Sequence, residues 1–331
     1  MQPIQQIMER LGRIDDAALA GAGEAQTVQQ AYRELAFTEW EGLALRAPAA
    51  MDLGAGQGFP VLISWSHDAK REREVVLGDN AVVISNRLDG KGCWFTPLFP
   101  PRTHKVPQPG RRPPPVPTPD AATPAGSMGV RRLDLVAEGA IPRQAGRYAV
   151  RVISYDWISN AVTTVLSGGP QSPAAPGPGS EDRLASWSVR GRGAPDALPS
   201  FVRGPRTPSL SGPGIAVSLP PNAAVKGGPV PVYGAVRLPV ASGWRAGGAG
   251  PTAVEDAYLV LVRRGFPSPL ILDIEVPLWA PAGAAPGTLA EGCFAYDLAA
   301  LAGGRLTASL WQVYAILGAS IAGPSPLNVT E

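Results

Sequence analysis

Gly292-Cys293-Phe294-Ala295-Tyr296-Asp297 and Gly92-Cys93-Trp94-Phe95-Thr96 hold the only two cysteines of the sequence, each in a Gly-Cys-aromatic step. Each step follows a strand-like apolar run. Each is followed by a Gly-Arg step, Gly146-Arg147 or Gly304-Arg305, that opens another long apolar run. The pattern reads as two copies of one domain, with each cysteine a small apolar filler beside an aromatic core residue. A disulfide between Cys93 and Cys293 requires the two segments to be adjacent, and separate buried thiols are the expected state.

Outward from these steps the chain reads as short strands. Leu43 and Leu45 begin one, Ala47-Pro48-Ala49 breaks it, Gly54, Gly56 and Gly58 mark a turn, and residues 61–65 form the next. In the second half, residues 215–219, Pro220-Pro221-Asn222, Gly227-Gly228-Pro229 and residues 232–238 repeat the order strand, proline turn, glycine turn, strand, with Leu43 matching Ile215. Two hairpin-like pairs follow, one over residues 74–84 around Gly78-Asp79-Asn80, the other joining residues 257–262 to 270–276. Leu270, Leu272, Ile274 and Val276 share one face of their strand and Asp273 and Glu275 the other, which predicts one buried side and one wet side. Each half closes on a long strand pair, residues 148–155 with 161–166 and residues 307–317 with 326–329. Leu306, Leu310, Val313 and Leu317 nearly keep helical spacing, and the match to Tyr148 onward decides for strand.

Composition agrees with this reading. A chain of 331 residues is long enough for two domains, each with its own core. Charged residues make up only 17%, against 39 Gly and 37 Pro, which favours many short elements joined by turns over long helices. At the N-terminus, Ile4, Ile7, Met8, Leu11 and Ile14 form a helical stripe. Residues 15–26, with Gly21 and Gly23, end it, and a second helix is expected from Thr27, with Val28, Ala31, Tyr32 and Leu35 on one face. The expected fold class is therefore all-β, with a helical N-terminal arm over residues 1–40 that either docks on a partner or covers the first sandwich. It is followed by a β-sandwich domain over 41–167 with a Pro-rich insertion at 99–127, a Pro/Gly/Arg-rich linker over 168–214, and a second sandwich over 215–331. The sandwiches are expected to be of immunoglobulin-like or jelly-roll type.

A net charge of +2 supplies no global field that would draw the chain to nucleic acid or to an anionic membrane. Two cysteines exclude a disulfide framework and a Cys-only zinc site, and with His67 and His104 the only histidines, a His/Cys metal site is hard to assemble. Ser66-His67-Asp68 is contiguous, but a triad is a spatial arrangement, so the string reads as a polar turn. Residues 1–19 lack the basic and apolar regions of a secretory signal. The most apolar run, residues 306–322, is broken by Gln312, Gly318 and Ser320, so no membrane span is expected. The sequence assigns no compartment and is compatible with the cytoplasm at synthesis or with a virion.

Asp52-Leu53-Gly54-Ala55-Gly56-Gln57-Gly58 resembles the glycine-rich motif of S-adenosylmethionine-dependent methyltransferases, which implies a buried strand before the glycines, a helix after them and a parallel α/β core. Here Ala47-Pro48-Ala49-Ala50-Met51 precedes the glycines and the strand-like residues 61–65 follow, so this is the third of three functional readings. Arg111-Arg112-Pro113-Pro114-Pro115-Val116-Pro117 has the composition of a basic polyproline ligand, and the plainer reading is a stiff exposed loop. Arg190 and Arg192, and Arg203 and Arg206, alternate with Gly and Pro near Trp187 and Phe201, a pattern that could touch phosphate and stack on bases of a nucleic acid, with a flexible basic linker as the plainer reading. The candidate partner contacts are Arg111, Arg112, Pro114, Pro117, Arg190, Arg192, Arg203 and Arg206. Trp65, Trp94, Trp157, Trp279 and Trp311 read as core residues rather than a sugar-binding platform. No catalytic, cofactor-binding or metal-ligating residue is assigned. The leading expectation is a non-enzymatic structural or assembly protein, a subunit of a capsid-type shell or surface layer that self-associates. The second is a β-sandwich module binding carbohydrate or protein.

Overall fold

Runs of alternating burial make half-wet strands, and Gly and Pro between them make the turns that return the chain to the same sheet. The computed structural model describes residues 3–21, 23–36, 38–67, 81–89, 92–99, 127–170, 207–224, 229–241, 244, 251–263 and 269–330. The fold is mostly β, with several sheets. The chain divides into two compact units, residues 1–85 with 94–170, and residues 171–331 with 86–93.

The first nine strands are β1 (Gly42–Arg46), β2 (Ala50–Asp52), β3 (Pro60–His67), β4 (Val82–Arg87), β5 (Cys93–Pro97), β6 (Ser127–Asp134), β7 (Gly146–Ser154), β8 (Trp157–Ile158) and β9 (Val162–Ser167). They form one sheet of order β1-β3-β6 and a second of order β2-β9-β7-β4-β5, with β8 paired to β7. Leu43, Val61, Ile63 and Leu133 of the first sheet and Met51, Val83, Val150 and Leu166 of the second enter a single core.

The remaining strands are β10 (Gly214–Ser218), β11 (Asn222–Ala224), β12 (Pro231–Pro239), β13 (Ala253–Arg263), β14 (Leu270–Leu278), β15 (Leu289–Asp297), β16 (Ser309–Leu317) and β17 (Ser320–Thr330). Their sheets run β10-β12-β15 and β11-β17-β16-β13-β14. Ile215, Val236 and Phe294 meet Leu259, Leu272 and Val313 in one core. Reading β10 for β1, β11 for β2, and so on to β16 for β7 and β17 for β9, turns the first pair of strand orders into the second. Even the exceptional pairings agree, since β2 lies parallel to β9 and β11 parallel to β17 while the other described ladders are antiparallel.

The agreement extends to single contacts. At the end of β6, Asp134 Oδ1 accepts the backbone N–H groups of Phe59 at 3.0 Å and Ala137 at 2.9 Å, and Leu135 N–H donates to Phe59 O at 2.9 Å. At the end of β15, Asp297 Oδ1 accepts from Val230 at 2.8 Å and Ala299 at 2.9 Å, and Leu298 N–H donates to Val230 O at 2.8 Å. Each aspartate thus ties the start of one strand to the turn that leaves another. In the second unit that turn is a short helix, α4 (Leu298–Ala302) as numbered after the three N-terminal helices described below, with Asp297 as its N-cap. The same number of residues further on, Tyr148 of β7 donates its hydroxyl to Gln144 O at 3.3 Å, and Trp311 of β16 donates its indole N–H to Thr307 O at 3.0 Å.

This geometry replaces the two landmarks singled out in the sequence. Cys93 opens β5, whose counterpart in strand order is β14, whereas Cys293 lies in β15, whose counterpart is β6. Gly304-Arg305 precedes β16, whereas Gly146-Arg147 opens β7. The strand reading of residues 307–317 holds in β16, and the Leu43 to Ile215 match holds in the pairs Leu43 with Trp65 and Ile215 with Val236. Residues 100–126 of the Pro-rich insertion, residues 171–206 of the linker and the Gly78-Asp79-Asn80 turn lie outside the described residues.

The N-terminal segment folds as α1 (Ile4–Leu11), α2 (Asp16–Gly21) and α3 (Glu24–Leu35). The expected break at residues 15–26 is instead a helix with glycines at its margins: Gly21 is its last residue and Gly23 is the N-cap of α3. Ile7, Leu11, Leu19, Ala31 and Leu35 pack on Ala44, Leu62 and Val130, which point from β1-β3-β6 away from the main core. Of the two roles expected for this segment, it takes that of a lid. Arg132 Nε donating to Leu19 O at 3.3 Å and the Arg46–Asp16 pair pin it.

Candidate functional site

The face of β10-β12-β15 that corresponds to the helix-covered face of β1-β3-β6 is built differently. Antiparallel pairing of β12 with β15 sets Arg237 opposite Glu291 and Ala235 opposite Cys293, so these four side chains share one face. The chain at Thr207, Pro208, Ser209 and Leu210 runs along that face and, with Trp279 just beyond β14, leaves a cleft of about 360 Å³. Arg237 is held from two sides: Nε donates to Glu291 Oε1 at 2.9 Å and Nη1 donates to Leu210 O at 2.7 Å. Trp279 is placed by reciprocal backbone hydrogen bonds with Glu291, both 2.8 Å. Gly292 permits this approach, because a Cβ there would stand 2.4 Å from Pro277 O and 2.7 Å from Leu278 Cδ2.

Chemically the cleft combines the Arg237–Glu291 ion pair, Trp279, two hydroxyl-bearing residues and an apolar floor. Thr207 Oγ1 is buried and has no hydrogen-bond partner. Cys293 is buried in the floor, and neither it nor Cys93 is in a disulfide. Burial pushes the half-buried Cys93 thiol up from its ordinary value, so it is held protonated at neutral pH.

The other sequence candidates fall elsewhere. Arg111, Arg112, Pro114, Pro117, Arg190, Arg192, Arg203 and Arg206 all lie outside the described residues. Trp157 and Trp311 are buried in the two cores and Trp65 and Trp94 pack against one of them, whereas Trp279 lines the cleft. His67 ends β3 as a buried residue with its ring 6.4 Å from that of Trp157, rather than sitting in a polar turn. In the glycine-rich stretch, Asp52 Oδ1 accepts from Gly54 N at 2.8 Å, Gly56 takes φ 80°, and the chain enters β3 and not a helix. Asp273 and Glu275 line a shallow groove with Asp256 and Tyr258 on the outer side of β13 and β14. Among the described residues no group of three or more His, Cys, Asp or Glu is placed to hold a metal ion, and no helix is long and apolar enough to cross a membrane.

The cleft was not singled out in the sequence. Its signal is faint: Arg237 is the one charge in β12 and Glu291 one of two in β15, and only the register of β12 against β15 makes them a pair. No protein-family model matches the chain, and no curated protein matches it.

Proposed function

We propose that the chain is a non-enzymatic structural protein, a subunit of a larger assembly such as a capsid-type shell or surface layer, built on two tandem immunoglobulin-like β-sandwiches. In immunoglobulin lettering, the strand orders correspond to A-B-E facing A′-G-F-C-C′, and the aromatic hydrogen bond at the start of the F strand matches the tyrosine corner of that class. A jelly roll would close two Greek keys of eight strands instead.

The observation that carries the assembly reading is the repetition itself. One chain presents the same two-sheet layout twice, each with the same aspartate clamp, and such stiff blocks suit a scaffold whose loops reach neighbouring subunits. Light scattering coupled to size exclusion tests it at micromolar concentration. The expected result is a species heavier than the 34.4 kDa chain. A monodisperse monomer at every concentration overturns the reading.

A further inference from the structure

The three helices over β1-β3-β6 make a core of their own. Leu11, Ala31 and Leu35 meet Ala44, Leu62 and Val130 on one side of the sheet, while Val61 and Ile63 of β3 enter the sandwich core on the other. Lifting the helices therefore leaves the sandwich core closed. We propose that this helical segment is a lid that opens as one unit, giving the first unit a second state in which the outward face of β1-β3-β6 is bare. The inference does not rest on the assembly reading.

What lies beneath the lid carries the inference. Thr27, Trp40 and Ser64 are buried, none more than 4% exposed, yet Thr27 Oγ1, Trp40 Nε1 and Ser64 Oγ have no hydrogen-bond partner. Thr27 shares the docking stripe of α3 with Ala31 and Leu35, Ser64 shares the outward face of β3 with Leu62, and Trp40 belongs to the same apolar cluster. Each of the three gives up water on closing and gains no bond in return. The closed state is weakened at three places, and the open state, where water meets all three, is not. The second unit sharpens the point. Register sets Ser64 opposite Ala44 in β1, and Ala235 opposite Ala216 in the matching strands. The fold thus accepts alanine at this place, and the serine stands on the face that helices cover. The polar ties that hold the lid are long or half-exposed: Arg132 Nε to Leu19 O and Val130 N–H to Tyr32 Oη are both 3.3 Å, and Asp16 of the Arg46–Asp16 pair is open to water on one side. Helices of 8, 6 and 12 residues are too short to persist off the sheet, so opening and unfolding of the segment coincide.

Hydrogen exchange of the full-length chain at neutral pH, followed by mass spectrometry, tests the lid. The expected result is that α1, α2 and α3 exchange together, at least about a hundredfold faster than β3 and β7. Thr27→Val and Ser64→Ala each remove an unanswered hydroxyl at little change in volume, and each should slow exchange in all three helices about tenfold. Helices that exchange as slowly as β3 and β7, or one by one instead of together, overturn the proposal. So does exchange left unaltered in both variants. Faster exchange in either variant overturns it as well, because a hydroxyl whose loss loosens the lid is already answered by solvent held beneath it. The first comparison needs only the unaltered chain, so it decides even where a variant fails to fold. The oligomeric state is measured separately, so failure here leaves the assembly reading standing, and the converse holds.

Discussion

Asp134 and Asp297 each spend one carboxylate oxygen on backbone N–H groups from two different segments, so each holds a strand start and a turn together. Removing either carboxylate leaves those donors without their acceptor. Asp297→Ala is therefore expected to cost about 1–3 kcal/mol in urea unfolding, with Asp297→Asn less damaging because its carbonyl can still accept. Backbone conformation makes a second case. Tyr155 at φ 46° and Gly318 at φ 53° follow β7 and β16 at corresponding places, the first being the one non-glycine residue of positive φ among those described. Gly318→Ala is expected to cost about 1–2 kcal/mol, because a Cβ is strained there. For Cys93 the raised pKa has a chemical consequence. In the folded chain at pH 8 it should alkylate far more slowly than in urea, and since the unfolded thiol ionises first, its burial stabilises the fold only below the ordinary thiol pKa. Cys93 and Asp297 stand in the strings that open the sequence reading, but the roles of these residues were not legible as letters. The Gly-Cys-aromatic strings matched by composition alone, whereas the true correspondence, aspartate to aspartate and Tyr148 to Trp311, is written in hydrogen bonds between segments far apart in sequence.

At the scale of elements, periodicity was informative wherever one face is wet. Leu270, Leu272, Ile274 and Val276 point into the core as alternation required, and Asp273 is exposed. In β16 the near-helical spacing misleads at one place. Leu310 is 47% exposed because a strand turns residues 311, 313, 315 and 317 inward instead. Glycine misled at α2, where Gly21 and Gly23 border helices and do not abolish one. The docking of α1, α2 and α3 was not legible, since an amphipathic stripe states that a face is buried and not against what. Leu11, fully buried between those helices and the outward face of β1-β3-β6, measures that docking. Leu11→Ala is expected to cost about 2–5 kcal/mol in urea unfolding. A variant within about 0.5 kcal/mol of the parent would mean that the helices contribute little to the stability of this unit.

For the whole molecule, the assembly reading must say which surfaces join. Among the described residues β14 ends its sheet, and an edge strand of nine residues would ordinarily pair with a copy of itself. Its sequence opposes that: Asp273 and Glu275 repel their counterparts in an antiparallel copy, and Pro277 has no N–H to donate. Subunits on this reading therefore meet through loops and not through edge pairing, and the arginine-rich segments are the natural contacts in a chain whose net charge is only +2. Two variants separate the routes. Replacing Arg190, Arg192, Arg203 and Arg206 with Ser should reduce the heavy species while leaving the circular dichroism spectrum and melting temperature unchanged, because arginine side chains are seldom part of a hydrophobic core. Replacing Asp273 and Glu275 together with Val should instead add new, irregular association, seen as rising light scatter, because it removes the repulsion that keeps the β14 edge apart. A heavy species untouched by the arginine changes but lost in the β14 variant would reverse the assignment, making that strand the joint and its carboxylates part of the contact.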